Sequence, residues 1–267
     1  MVEIGSKMRV AHKVGSYSLH LVVFFAYLLM YVPIVVLVLY SFNEGATPHQ
    51  WKGFSLRWYR ELFQSVEILE ALKNSLIIAF SAVGLSIVMG LFFVFYSAKS
   101  FLKNFLFTFY ASLAAPEVVL AVGLLSFFSL FSVPLGLTSL IAAHTLVGLS
   151  YVTPILYARF KSIDYRVTEA SFDLGATEWQ TFTKIIVPLL SPAIMGAGLL
   201  VFIVSLDDFI LSFFCSGAST VTLPMYIFSV VRSGATPVVN ALSTLLLLIS
   251  SLAVMVFTLF RVRTRVF

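Results

Sequence analysis

Residues Asp164 to Pro188 read DYRVTEASFDLGATEWQTFTKIIVP, and this is the one long internal stretch too polar to lie in a membrane. Apolar residues recur at helical spacing in each half: Val167, Ala170 and Leu174, then Trp179, Phe182, Ile185 and Ile186. Each half is therefore predicted as a short helix with one apolar face. Gly175 lies between the halves, where a reversing chain needs a residue free to take positive φ, and Pro188 is expected to close the second half. An elbow of two short helices satisfies both signals. A solvated linker would account for the charges but not for the spacing.

The chain as a whole is 60% hydrophobic, 15% aromatic and only 11% charged, which excludes an ordinary soluble domain. The net charge of +5 would suggest nucleic acid in a soluble protein. Here the basic residues flank apolar runs and act as topology signals instead. The one cysteine, Cys215, rules out an intrachain disulfide, and no Cys or His cluster has metal-ligand spacing.

Six apolar runs are long enough to cross a bilayer: Leu21 to Tyr40, Ser75 to Tyr96, Phe105 to Phe131, Leu137 to Tyr157, Leu189 to Phe214 and Asn240 to Phe260. The first has about 20 residues, the length that spans ~30 Å of hydrocarbon, and is longer than a cleaved signal core. The N-terminal tail, Lys99 and Lys103, then Arg159, Lys161, Arg166 and Lys184, and finally Arg261, Arg263 and Arg265 all fall on one face. The opposite face has Lys52, Arg57, Arg60, Lys73 and Arg232. The richer face is expected to be cytoplasmic, together with both termini and the elbow. The expected organisation is an N-tail at 1–19, a six-span domain at 20–260 with its cytoplasmic loop at 159–188, and a basic tail at 261–267.

On the other side, Phe54 to Phe63 reads FSLRWYRELF, an interfacial helix by its spacing. Tyr59 suits simple anchoring. Trp58, if its indole is exposed, offers a ring face to an entering cation.

Three acids fall inside expected spans: Glu117, directly after Pro116, and the adjacent pair Asp207 and Asp208. An acid at membrane depth costs roughly 2.5 to 3.5 kcal/mol on insertion scales, so each is a candidate for function. At ~1.5 Å per residue, Glu117 lies about 18 Å from Phe105 and Asp207 about 22 Å from Pro192, at similar depth. No Lys or Arg lies within a span to neutralise them. The competing view has each acid protonated or capped by hydroxyls such as Ser205 and Ser212. Pro116 also frees a backbone carbonyl, as broken helices do along substrate passages. His144 and Tyr151 read as interior packing.

The elbow's Glu169-Ala170, with Gly175 six residues after the glutamate and then Ile185 and Pro188, resembles the EAA loop of ABC importer permeases. Ser171 stands where that motif has a second alanine. LDDFILSFF at 206–214 and LPMYIFS at 223–229, followed by GATPVVNAL at 234–242, resemble the C-type permeases of spermidine and putrescine importers. With the Trp-Tyr segment and the acid after Pro116, the likeness covers the chain from about residue 30.

The resemblance implies an all-α membrane protein of six transmembrane helices, a type I ABC importer permease in the bacterial inner membrane, with cytoplasmic EAA coupling helices. It implies Glu169, Ala170, Asp173, Gly175, Ala176 and Glu178 at the ATPase contact, and Trp58, Glu117, Asp207 and Asp208 along the substrate pathway. The implied partners are a second permease subunit in a heterodimer, two ATPase subunits, a periplasmic binding protein and membrane lipid. No nucleic acid is expected. The chain lacks G-x-x-x-x-G-K-[ST] and carries no cofactor of its own, so ATP and Mg would be bound by the partner ATPases. Polyamines are the leading substrate; an anion or a metal chelate is the alternative within the class. An ion channel would have no use for the loop. An intramembrane aspartyl hydrolase would need two facing acids, whereas adjacent Asp207 and Asp208 point about 100° apart on a helix.

Overall fold

The computed structural model describes residues 2–45, 50–97, 105–218, 220–233 and 237–264. Among them the chain is helical throughout, with one isolated antiparallel bridge between Asn43 and Phe54. Lys99, Lys103 and Arg265, three of the basic residues used to orient the chain, lie outside the described residues. Five helical segments are long and apolar enough to cross a membrane: His20–Tyr40, Val66–Tyr96, Leu137–Lys161, Glu178–Asp207 and Pro237–Val256. A sixth crossing is formed if the bent pair Leu106–Ala114 and Glu117–Leu130 counts as one span. The chain divides into two compact units, Met1–Gln64 with Gly234–Leu246, and Ser65–Ser233 with Leu247–Phe267.

In the first unit, helix α1 (Val2–Tyr40) carries the first span and ends in a turn organised by Asn43. The buried Asn43 amide donates to the Gln50 carbonyl at 2.8 Å, while its Oδ1 accepts from Lys52 N at 2.9 Å and Gly45 N at 3.3 Å. One side chain thus serves the polar backbone that a loop beside the bilayer cannot leave unpaired. Phe42 stacks on Phe54 and packs at a 34° tilt against Tyr59, and the Tyr59 hydroxyl bonds Ser41 Oγ at 2.8 Å. Helix α2 (Arg57–Gln64) follows as the expected amphipathic helix, burying Trp58 and Leu62.

The second unit is built round α6 (Leu137–Lys161), which packs against α3 (Val66–Ser97) and α9 (Val187–Asp207). Apolar residues run all round these helices, so burial is decided by which faces can approach closely. Glycines permit the approach. A Cβ on Gly148 of α6 would lie 3.0 Å from Val201 of α9 and 3.1 Å from Ser86 of α3, and one on Gly90 of α3 would lie 2.8 Å from Val152 of α6. Leu91, Val94, Val152, Leu156, Leu190 and Val201 fill the core between the three helices. Phe182 and Ile186, from the elbow, close its end.

Three expected boundaries change. Helix α3 starts at Val66, so Glu67, Glu70 and Lys73 belong to a helix rather than to the loop. The expected third span is two helices, α4 (Leu106–Ala114) and α5 (Glu117–Leu130), bent by 118° because Ala115 and Pro116 are extended. Pro188 does not end a helix. A π-helical turn at Phe182–Ile186 lets Val187 N bond Phe182 O, and the helix runs on through the proline. Beyond it, α10 (Ile210–Cys215) and α11 (Leu223–Ser233) complete the unit, and α12 (Pro237–Thr264) carries the last apolar segment.

The glycine contacts make a testable prediction. Gly148→Val overpacks the three-helix core at a cost of about 1–3 kcal/mol and lowers the melting temperature of the purified protein in detergent. Gly84→Ala, with nothing within 4 Å of its Cβ, leaves that temperature unchanged or raised.

Candidate functional site

Two helix breaks bring the acids together. The first is the extended pair Ala115 and Pro116, with Glu117 placed in the first turn of α5. There the helix dipole favours a carboxylate. The second was not expected: α9 stops at Asp207, Asp208 is extended at ψ 110°, and helix resumes only at Ile210. Glu117, Asp207 and Asp208 line one cavity of about 320 Å³, together with Ser112, Ser150 and Tyr151. Glu117 and Asp207 are exposed in the isolated chain, whereas Asp208 is 6% exposed.

Asp208 has a local task as well. Its Oδ1 accepts from Leu211 N at 2.8 Å and Ser212 N at 3.4 Å, pairing amides that the break leaves without helical partners. Its carboxyl also lies within electrostatic reach of Glu117. Two carboxylates sharing a cavity would repel each other, and a cation between them would relieve both. Ser205 and Ser212, the hydroxyls that the competing view assigned to the acids, bond a histidine instead. Ser205 Oγ bonds His144 Nδ1 at 2.8 Å and Ser212 Oγ bonds His144 Nε2 at 3.3 Å. His144 is therefore hydrogen-bonded across the break rather than simply packed. Tyr151 faces the cavity, and Ser150 Oγ bonds Ser112 Oγ at 2.9 Å across from α6 to α4.

A second cavity, of about 830 Å³, lies between the start of α3 and α11. Glu67, Glu70 and Arg232 supply its charges, and Phe209, Phe213, Tyr226 and Phe228 its aromatic walls. Asn74 Nδ2 donates to Val221 O at 3.0 Å and Ser75 Oγ accepts from Leu223 N at 2.8 Å, which ties the two walls to each other. Phe209 belongs to this cavity while its neighbours Asp207 and Asp208 belong to the first. The sequence signal for these residues was two glutamates three apart at the head of an apolar run.

Trp58 is placed otherwise than expected. Its indole is 5% exposed, donates to Asn43 O at 2.6 Å and carries the Arg57 guanidinium 4.9 Å over its ring. The face that an entering cation would use is occupied by this arginine.

The first helix of the elbow and its glycine turn form as predicted from local signals, while the second half is the head of a helix that continues to Asp207. Asp164 caps α7 (Tyr165–Asp173) by accepting from Arg166 N at 3.0 Å. Gly175 takes φ +80°, with Gly175 N bonded to Phe172 O and Ala176 N to Ser171 O, a Schellman closure. Thr177 and Gln180 form a reciprocal capping box at the start of α8 (Glu178–Thr181). Glu169, Ala170, Asp173, Gly175 and Glu178 are exposed and Ala176 is half-buried. So are the apolar side chains of Tyr165, Val167, Leu174 and Trp179, Leu174 at 89%. Ser171 points the other way, into a buried hydrogen bond of 2.9 Å with the Thr181 hydroxyl.

Residues 82–265 match the family described as binding-protein-dependent transport system inner membrane component. The chain belongs to this family. It is 40% identical over 233 residues to the spermidine/putrescine transport system permease protein PotC of Haemophilus influenzae, covering 85% of this chain and 90% of that one. To the Escherichia coli putrescine transport system permease protein PotI it is 35% identical over 228 residues, covering 82% and 81%. Among solved structures, a bacterial ABC transporter involved in import of the acidic polysaccharide alginate superposes with a TM-score of 0.71 at 16% identity, covering 92% and 94%. The MetNI methionine ABC transporter does so with a TM-score of 0.59 at 17% identity, covering 74% and 97%. The fold is thus that of a type I ABC importer permease, and this member of the family is a transport subunit. It is an inner-membrane component.

Ser171, the elbow's departure from the usual alanine, generates a prediction. Ser171→Ala leaves the buried Thr181 hydroxyl without its partner, at about 1–3 kcal/mol, and speeds amide exchange across 177–186. Adding Thr181→Val, which removes the orphaned hydroxyl, restores protection.

Proposed function

We propose that this permease carries polyamines, spermidine or putrescine, from a periplasmic binding protein into the cytoplasm. The convergence of Glu117, Asp207 and Asp208 on one cavity carries the reading. A polyamine is a flexible apolar chain with protonated amines at intervals, and its passage needs separated carboxylates with apolar surface between them. The Glu67 and Glu70 cavity, with its aromatic walls, offers the same chemistry on the outer side. Contacts along such a route are several and individually weak, because a site that held the cation tightly would not release it. An acid-lined passage disfavours an anion. The relatives named for spermidine and putrescine support the same choice. Trp58 serves the outer loop, and its indole hydrogen bond is part of how that loop is held.

The same proposal supplies the rest of the machine. The permease pairs with a second permease subunit, and two ATPase subunits bind ATP and Mg and dock on the elbow through Glu169, Ala170, Asp173, Gly175, Ala176 and Glu178. The exposed apolar side chains of Val167, Leu174 and Trp179 suit burial in an ATPase groove. Both termini lie in the cytoplasm. The structure's α6 enters the elbow and α9 leaves it, so displacement of the elbow moves both walls of the acidic cavity.

Two outcomes follow for the full assembly in vesicles supplied with labelled polyamine and binding protein. Asp207→Asn and Glu117→Gln each lower uptake by about tenfold or more, the scale of losing a hydrogen bond to a charged group, at equal amounts of assembled protein. Import of an anion by the parental assembly, with no polyamine uptake, removes the substrate reading. Gly175→Val imposes roughly 1–2 kcal/mol of strain at a positive φ and uncouples ATP hydrolysis from uptake, while Gly175→Asn retains more transport because asparagine tolerates that conformation. Normal transport by the valine variant rules out the docking role.

A further inference from the structure

We infer that His144 is a positioning residue that holds the fifth span broken and thereby sets Asp208 in the acidic cavity; the inference rests on the transport reading above. The ring is 3% exposed and sits on α6, facing the junction of α9 and α10. Its two nitrogens reach hydroxyls on opposite sides of the break, Ser205 in the last turns of α9 and Ser212 in α10. A serine hydroxyl both donates and accepts, so either neutral tautomer of the imidazole is served at both ends.

The ring ties the two sides of the break to each other. Its hydrogen bonds of 2.8 and 3.3 Å fix one hydroxyl of α9 and one of α10 to opposite ends of a single buried side chain of α6, so the positions of the two helix ends are set by a third helix. Nothing in the local sequence asks for a break there. LDDFILSFF at 206–214 contains neither Pro nor Gly, and a straight helix would satisfy its backbone without help. The interruption is instead held by side chains: Asp208 on the amides of Leu211 and Ser212, and His144 on the hydroxyls that flank the gap.

The consequence for the acids is specific. If the span closed into one helix, Leu211 N and Ser212 N would bond carbonyls one turn back, and Asp208 would lose both amides that fix its carboxyl. Asp207 and Asp208 would then point about 100° apart on one rod instead of lining one cavity with Glu117. His144 also lines a small recess with Tyr151, Val204, Ser205 and Asp208, so it stands directly behind the acid it positions.

The test has two arms. Spin labels introduced at Leu200 and Phe213, both exposed positions on either side of the break, report its geometry in the assembled transporter. His144→Leu is expected to change the distance between them as the break is released, and to lower polyamine uptake by about tenfold or more, the size expected for losing two buried hydrogen bonds. His144→Gln, which can still reach one hydroxyl, restores part of both signals. Combined with Asp208→Asn, His144→Leu causes no further loss of uptake, because both act on the same carboxyl. Should His144→Leu fail to assemble, Ser205→Ala with Ser212→Ala removes both bonds at almost constant volume and is expected to give the same change in distance. An unchanged distance in these variants, or parental uptake by them, overturns the inference. If the parental assembly moves no polyamine, the substrate reading fails on its own. The distance measurement then still decides the role of His144, since it needs no substrate.

Discussion

A backbone N–H or C=O inside hydrocarbon has no water to turn to, and an interruption in a membrane helix persists only where other groups replace the missing bonds. That requirement governs both breaks that shape the acidic cavity. At Pro116 the chain has one fewer amide to satisfy, and the helices on either side part at 118°. At Asp208 no such excuse exists, and the carboxyl itself bonds the orphaned amides. The group that faces the cavity is thus also the group that keeps the cavity's wall in place. Exposed Asp207 has no comparable backbone task, so of two adjacent residues of the same type one stands open to the cavity and the other, buried, holds the backbone.

The three-helix core supplies the rigid background for this arrangement. Because α3, α6 and α9 meet at glycines, their backbones lie close and side chains such as Val201 and Val152 fill space that a Cβ would need. Close packing of this kind passes displacement on rather than absorbing it. It extends into the elbow: Phe182 and Ile186 belong to the same buried cluster as Val201, and the Trp179 ring stacks 6.3 Å from Phe92 of α3. The elbow is therefore an end of the core rather than an appendage to it.

What could be read beforehand was local. The elbow's caps, its positive-φ glycine and its first short helix follow from signals within a few residues of each other, and the apolar runs announce themselves by length. The acids stood out because burying a charge is costly. What escaped depended on partners far along the chain. Serines 205 and 212 looked like caps for the acids until a histidine some sixty residues earlier claimed both hydroxyls. Trp58 looked available to a cation until Asn43 and Arg57 were seen to occupy its N–H and its ring face. Pro188 looked like a stop because a proline removes one hydrogen bond from an α-helix, and the wider turn before it was invisible to a search by 3.6-residue period.

That wider turn has an effect on angular phase. The π-helical turn at Phe182–Ile186 accommodates one residue more than an α-turn does, so faces counted on an unbroken 3.6-residue period from Trp179 to Asp207 are out by one residue, about 100°. The orientation of the elbow's aromatic end and the orientation of the cavity's acidic end are consequently not locked together by the helix repeat. A single surplus residue sets the angle between them, and it lies where the elbow becomes a long apolar helix.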